Sequence, residues 1–359
     1  MSRPKVMVYP AVRGGMLSVV ESYVRDGFVS KQYVELLPSY EEVGFAGRQV
    51  VFLRALSRFA RLLATRRIGL LHVHAAMKGS FWRKAAFANL ARARGVPVLF
   101  HLHGSDMKSF YARQVPWLKR AIVRELSRAT RVVVLSESWR DYVREIAPGA
   151  RPVVAPNYVE MPDRPVRDGR GPPQVLFLGL VGERKGVYDL LEAFATVRAT
   201  RPDATLVIGG NGEVERARTR ARELGLGDAV RFEGWVGHDR RAELLRAADI
   251  YALPSYNEGL PMSVIEAMSY GLPIVTSDVG GLPELVSDGV HGRVVLPGDT
   301  AGLADAIAGL AADPDLRRTL GEAGRRRIEA SYSRDVALPA LERLYDEVAA
   351  RPDGAGRPA

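Results

Sequence analysis

Residues 257–273 read NEGLPMSVIEAMSYGLP and carry two glutamates, Glu258 and Glu266, eight positions apart across a Gly- and Pro-punctuated turn that runs into a helix. Gly259 and Pro261 force a tight turn after Glu258, and apolar residues at helical spacing begin near Met262. The peptide N–H groups around Ser263 and Val264 are then expected to stand free at a helix start, where the macrodipole makes an anion site. Glu258 would lie on the loop before that site and Glu266 about one turn into the helix. Ser263 to Glu266 also spells a capping box, in which the two side chains satisfy backbone donors and nothing more. Both readings stand on the tetrapeptide alone. Glu258 has no such capping use, and its neighbours Asn257 and Gly259 suggest a loop at a strand's carboxyl end, where ligands bind.

Working outward, short apolar runs alternate with amphipathic helical stretches. The N-terminal half offers the strands KVMVY, LLHVH, PVLFHLHG and RVVVLS, with helices from about Gly15, through FWRKAAFANLARARG and through PWLKRAIVRELSRA. The segment EMPDRPVRDGRGPPQ, residues 160–174, is dense in Pro, Gly and charge and reads as a linker. The alternation then restarts with QVLFLGL, GVYDLLEAFATVRA, ATLVIGG, EVERARTRARELG, AVRFEG, RAELLRA and DIYALPS, and continues past the opening stretch with PIVTSD and RVVLPG. Such a pattern predicts parallel sheets covered on both faces. The expected fold is α/β: two tandem Rossmann-like, doubly wound domains, residues 1–165 and 174–333, facing a cleft that takes the ligands. A helix at about 334–350 is expected to pack back on the first domain.

The chain has 359 residues, 47% of them hydrophobic and 26% charged, which suits two folded domains rather than a disordered or fibrous chain. It contains no cysteine, so a disulfide framework, a thiolate nucleophile and a Cys-based zinc site are excluded. His72 and His74 alternate along LLHVH, and His101 and His103 along LFHLH, a spacing that reads as polar strand-end residues ahead of metal ligands. No apolar run is long enough to span a membrane and the first residues, MSRPKVMVYPAV, do not read as a signal peptide, so a cytoplasmic location is expected. Charge is unevenly spread: residues 1–168 hold 28 Lys+Arg against 13 Asp+Glu, whereas the remainder holds 23 against 28. The two halves should therefore meet different partners.

Taken whole, PSYNEGLPMSVIEAMSYGLPIVTSDVGGLPELVSDGVHG closely resembles the signature of the retaining glycosyltransferases of family four, which have the GT-B fold. The resemblance extends to Arg13-Gly14-Gly15 after the first strand, HGSD at His103–Asp106, LSES at Leu135–Ser138, PNYVE at Pro156–Glu160, FLGLVGERKG at Phe177–Gly186 and GGNGE at Gly209–Glu213. It implies that Glu266 accepts hydrogen bonds from the donor ribose and that Glu258 orients the transferred hexose. It further implies that Asn257 and the backbone of Gly259, Leu260, Pro261, Ser263 and Val264 cradle the sugar and diphosphate, and that Gly14 and Gly15 approach the donor or acceptor from the first domain. His103 is implied to stand near the transferred sugar, with His101 as an alternative on the same strand face. Lys185 and Arg184 would stabilise the departing nucleoside diphosphate. The family commonly has arginine directly after the glycine of that strand, where this chain has Leu180, so the assignment rests more firmly on Lys185 than on Arg184.

The implied catalytic set is Glu258, His103, Lys185 and Arg184. No metal and no cofactor are expected beyond a UDP- or GDP-sugar donor, and the acceptor is expected to be a glycan or a lipid-linked glycan. RGG lacks the full GxGxxG pattern, which argues against a dehydrogenase. The basic segments GRQVVFLRALSRFARLLATRR and RQVPWLKRAIVRELSRATR suggest attachment to an anionic leaflet, or else ordinary solvated helices. Nucleic acid is not expected, because no recognised reading module is present. The rival readings are an epimerase or phosphorylase of the same fold and a non-catalytic membrane or nucleic-acid binder.

Overall fold

The computed structural model describes residues 3–12, 14–65, 68–104, 107–163 and 171–350. Arg13 of the RGG run, Ser105 and Asp106 of HGSD, and residues 164–170 of the expected linker lie outside the described residues. The chain divides into two compact units. One runs to Asn157 and takes back the chain from Ala337 onward; the other is Tyr158–Val336.

The first unit is built on six strands: β1 (Lys5–Ala11), β2 (Val34–Glu41), β3 (Leu70–Ala75), β4 (Val98–Leu102), β5 (Arg131–Val134) and β6 (Pro152–Val154), in the order β2-β1-β3-β4-β5-β6. Every neighbouring pair is parallel. The central strands β3 and β4 are buried along their whole length, which is why they read as near-continuous apolar runs. Phe59 on the helix Phe45–Thr65 and Phe87 on the helix Gly79–Arg92 meet with ring centroids 5.6 Å apart, joining two covering helices in the core. The last helix, Arg334–Ala349, supplies the fully buried Tyr345, whose ring meets Phe28 edge-on at 4.9 Å. Lys31 and Glu342 add an ion pair at 2.7 Å.

The second unit has β7 (Gln174–Leu178), β8 (Thr205–Gly209), β9 (Val230–Gly234), β10 (Ile250–Leu253), β11 (Ile274–Ser277) and β12 (Gly292–Val295), in the order β12-β11-β10-β7-β8-β9. All its pairs are parallel too. This is a Rossmann-like order, and it reverses direction between β7 and β10. Both units are α/β and Rossmann-like. Their sequence motifs fall largely on the loops that leave the strands' carboxyl ends.

Two family-like stretches turn out to be structural. In LSES, Ser136 caps the helix Glu137–Ile146 by accepting from the Trp139 amide. In PNYVE, Val159 pairs in parallel with the chain at Ser333, and Glu160 accepts from Arg334 at 3.0 Å.

Candidate active site

In a doubly wound sheet the ligand crevice opens where the strand order reverses, because the loops leaving the two central strands diverge there. In the second unit those loops follow β7 and β10, and they carry Arg184, Lys185, Asn257 and Glu258. They are stitched together. The Tyr256 amide donates to the Arg184 carbonyl at 3.0 Å, Arg184 Nη1 donates to the Asn257 carbonyl at 3.2 Å, and Lys185 Nζ donates to Glu258 Oε1. Two glycines permit this approach. A Cβ on Gly186, at φ +68°, would stand 1.9 Å from the Pro254 carbonyl oxygen, and one on Gly280, at φ +59°, would stand 1.8 Å from that of Glu258. The KG and GG pairs of the sequence are thus contact points between loops.

Glu258 is 5% exposed, and Oε1 accepts from Ser255 Oγ at 2.7 Å as well as from Lys185. Ser277 Oγ in turn donates to the Ser255 carbonyl, tying the cluster to β11. Burial pulls the Lys185 ammonium below its ordinary pKa, and the facing Glu258 carboxylate opposes that shift. A lysine with its stem buried and its charge held by one carboxylate is oriented in advance for an anion that arrives beside it.

Glu266 lies on the helix Met262–Ser269 and pairs with Arg241 at 2.6 Å, a partner on the helix His238–Ala247. The capping-box reading is corrected here: the N-cap is Pro261 and the helix begins at Met262, so Ser263 and Glu266 each sit two positions too deep for that box. The expectation of a free amide at Val264 is corrected as well, since it donates to the Pro261 carbonyl at 3.2 Å. Pro261, held in an extended conformation, set the true start, and a Ser-x-x-Glu spacing did not override it. Leu260 is buried, and Gly259 accepts from the Gly281 amide at 2.9 Å.

In the first unit the order reverses between β1 and β3. Gly14 is there, at the N-cap of the helix Gly15–Arg25, with φ +148° and open space where a Cβ would be. Among the described residues no side chain caps that helix, which leaves its first amides without a side-chain partner beside a glycine backbone that a ligand can approach closely. His103 follows β4; its amide donates to the Ala75 carbonyl at 2.9 Å and its Nε2 lies 2.8 Å from His74 Nδ1.

The other histidines depart from the strand-end reading. His72, His74 and His101 are buried in mid-sheet, His74 opposite His101 in the register, with rings in contact across β3 and β4. Burial lowers the pKa of each, His72 and His103 to about 3, so all four imidazoles are neutral in the fold. Sequence reading also missed Arg241, Ser255 and Tyr345. Arg241 and Tyr345 meet their partners from distant elements, so local spacing does not signal them, whereas Ser255 lies three residues before Glu258 on the same loop, where the spacing could have shown it.

Residues 26–158 match the glycosyl transferase 4-like domain family, and residues 163–327 match glycosyl transferases group 1. A glycogen synthase of Mycobacterium tuberculosis is 30% identical over 71% of this chain, and the match spans 64% of that enzyme's length. A phosphatidyl-myo-inositol mannosyltransferase of Mycobacterium leprae is 32% identical over 82% of this chain and 77% of its own. Among solved structures, sucrose-phosphate synthase from Thermosynechococcus elongatus superposes with a TM-score of 0.80 at 22% identity, covering 96% of this chain and 99% of that one, which shows a shared fold. With a recognised domain on each half and a relative above 30% identity over most of both lengths, the chain belongs to the family-four glycosyltransferases of GT-B type.

Proposed function

We propose that this protein transfers a hexose-type sugar from a UDP- or GDP-sugar to a hydroxyl of a glycan or lipid-linked acceptor, with retention at the anomeric carbon and without a metal, in polysaccharide biosynthesis. The observation that carries the reading is the buried Lys185–Glu258–Ser255 cluster at the strand-order reversal of the second unit. Lys185, with Arg184 on the same turn, supplies positive charge where a departing diphosphate develops negative charge. Glu258, held by Ser255 and Lys185, orients the hexose. Glu266, fixed in direction by Arg241, accepts from the ribose hydroxyls, because a carboxylate can take two such bonds. The acceptor attacks on the face the nucleotide leaves, and the departing phosphate takes its proton, so no separate carboxylate base is called for.

The test is metal-free thermal stabilisation by UDP, GDP and ADP, in the wild type and in Glu266→Ala. A ligand that binds only the folded form raises its melting temperature. One nucleotide should stabilise the wild type and lose most of that effect in the variant. Equal shifts in both proteins would overturn the assignment of Glu266.

A second feature supports a cytoplasmic, peripheral placement on the inner leaflet. The basic helices Phe45–Thr65 and Pro116–Arg128 bring apolar groups to the surface beside their arginines and lysines: Phe45 is 79% exposed, Leu53 58% and Trp117 65%. Exposed aromatics beside cations suit an anionic interface. No helix among the described residues is long and apolar enough to cross a membrane.

A further inference from the structure

Four histidines and one tyrosine form two hydrogen-bonded segments, Tyr345–His72–His101 and His74–His103, that meet side by side in an otherwise apolar core. The Tyr345 hydroxyl lies 2.6 Å from His72 Nδ1, and His72 Nε2 lies 3.2 Å from His101 Nδ1. His74 Nδ1 lies 2.8 Å from His103 Nε2. Two buried nitrogens, His74 Nε2 and His101 Nε2, have no hydrogen-bond partner among the described residues. The His74 and His101 ring centroids are 5.0 Å apart and a nitrogen of each lies within 4.8 Å of the other, a span that one bridging water covers.

A neutral imidazole has one donor and one acceptor, so each link constrains the next. If Tyr345 donates to His72 Nδ1, then His72 carries its proton on Nε2 and donates to His101 Nδ1. His101 must then carry its own proton on Nε2. The reverse direction would leave the buried Tyr345 proton without an acceptor and His101 Nε2 without a proton to give, two bonds left unmade in a buried site. A water that accepts from His101 Nε2 donates onward to His74 Nε2 if that nitrogen is bare, whereas accepting from both would strand both of its own protons; the bare nitrogen puts the His74 proton on Nδ1, where it donates to His103 Nε2. His103 is left with its proton on Nδ1.

We propose that Tyr345 is a positioning residue that, through His72, His101 and His74, fixes His103 as the Nδ1–H tautomer and so as a hydrogen-bond donor toward a sugar hydroxyl. This rests on the reading above that His103 faces the transferred sugar. A metal is the weaker explanation of the cluster. His72, His74 and His101 each offer a nitrogen within 4.8 Å of the others, but both His72 nitrogens are already hydrogen-bonded, leaving two ligands where a structural zinc takes four.

The experiment is long-range ¹⁵N–¹H spectroscopy of the histidine-labelled full chain, in the wild type and Tyr345→Phe. It is paired with nucleotide release from UDP-glucose or GDP-mannose, whichever nucleotide stabilises the protein. The wild type should show His103 as the single Nδ1–H form. Tyr345→Phe should show mixed tautomers at His72, His101 and His103, with kcat lower by roughly fivefold to tenfold, the effect of one oriented hydrogen bond, and the donor KM nearly unchanged. A His103 spectrum and kcat both unmoved by Tyr345→Phe would overturn the proposal. Wild-type kcat in His103→Ala would instead overturn the role given to His103. Should Tyr345→Phe fail to fold, His101→Leu breaks the chain midway, and an unchanged His103 tautomer in that variant would overturn the proposal equally.

Discussion

Acid should unfold the first unit over a narrow and unusually high pH range. Burial depresses the pKa of His72, His74, His101 and His103, with neighbouring imidazoles adding to it at the first three and Lys84 at His74. Above pH 6.5 these groups are largely neutral in both states and their own contribution to stability is flat. As the pH falls below 6.5 the unfolded chain takes up protons that the fold refuses, at His72 and His103 down to about pH 3, so stability drains away across that window. Each such histidine costs about 1.4 kcal/mol per pH unit, and four cost about 5 kcal/mol per unit. By pH 5.5 the loss is about 6 kcal/mol, of the order of a whole domain's stability of about 5–15 kcal/mol. Lys84, which burial pulls down to about 7, is already largely protonated in the fold by then, and most carboxylates have not begun to titrate. Urea unfolding from pH 7 to 5.5, followed through the first unit's Trp82 and Trp139, gives the slope directly. His101→Leu should reduce it by about 1.4 kcal/mol per unit. Uptake of fewer than about two protons on unfolding at pH 5.5 would refute the buried neutral quartet.

The remaining predictions concern the second unit and the membrane. Glu258→Ala should abolish transfer and also destabilise the fold by about 3–5 kcal/mol, because it strands the Lys185 charge in a buried site. The double variant Lys185→Met with Glu258→Leu should recover most of that stability in urea melts yet stay inactive, which separates the structural from the chemical role. Gly280→Ala should lower the urea midpoint by an amount equal to about 3 kcal/mol or more, since both its positive φ and the Glu258 carbonyl oppose a side chain; a wild-type melt would refute the loop contact. Co-sedimentation with anionic vesicles should exceed that with neutral ones and fall in Trp117→Ser; equal binding to both vesicle types would remove the leaflet reading.

Much of the architecture is written locally. Apolar runs such as LLHVHA and IYAL cannot sit anywhere but between covered faces, and their alternation with amphipathic helices specifies parallel sheets. EGLP, ERKG and GGLPEL mark the loops at the carboxyl ends, because only glycine tolerates the contacts that bring those loops together. What the sequence by itself determined, then, is the pair of Rossmann-like units and the neighbourhood of Glu258, Lys185 and Glu266. Tertiary structure alone decided the distant partners: Lys185 on Glu258, Arg241 on Glu266, and Tyr345 on His72 from more than two hundred and seventy residues away. It also buried three histidines, His72, His74 and His101, that have the spacing of strand-end polar residues, because β3 and β4 are central strands in register and their shared face is closed to solvent, while His103 stays at the strand end. Spacing along the chain fixes which face a side chain takes, whereas a hydrogen-bond partner is fixed by which strand or helix comes to lie opposite it.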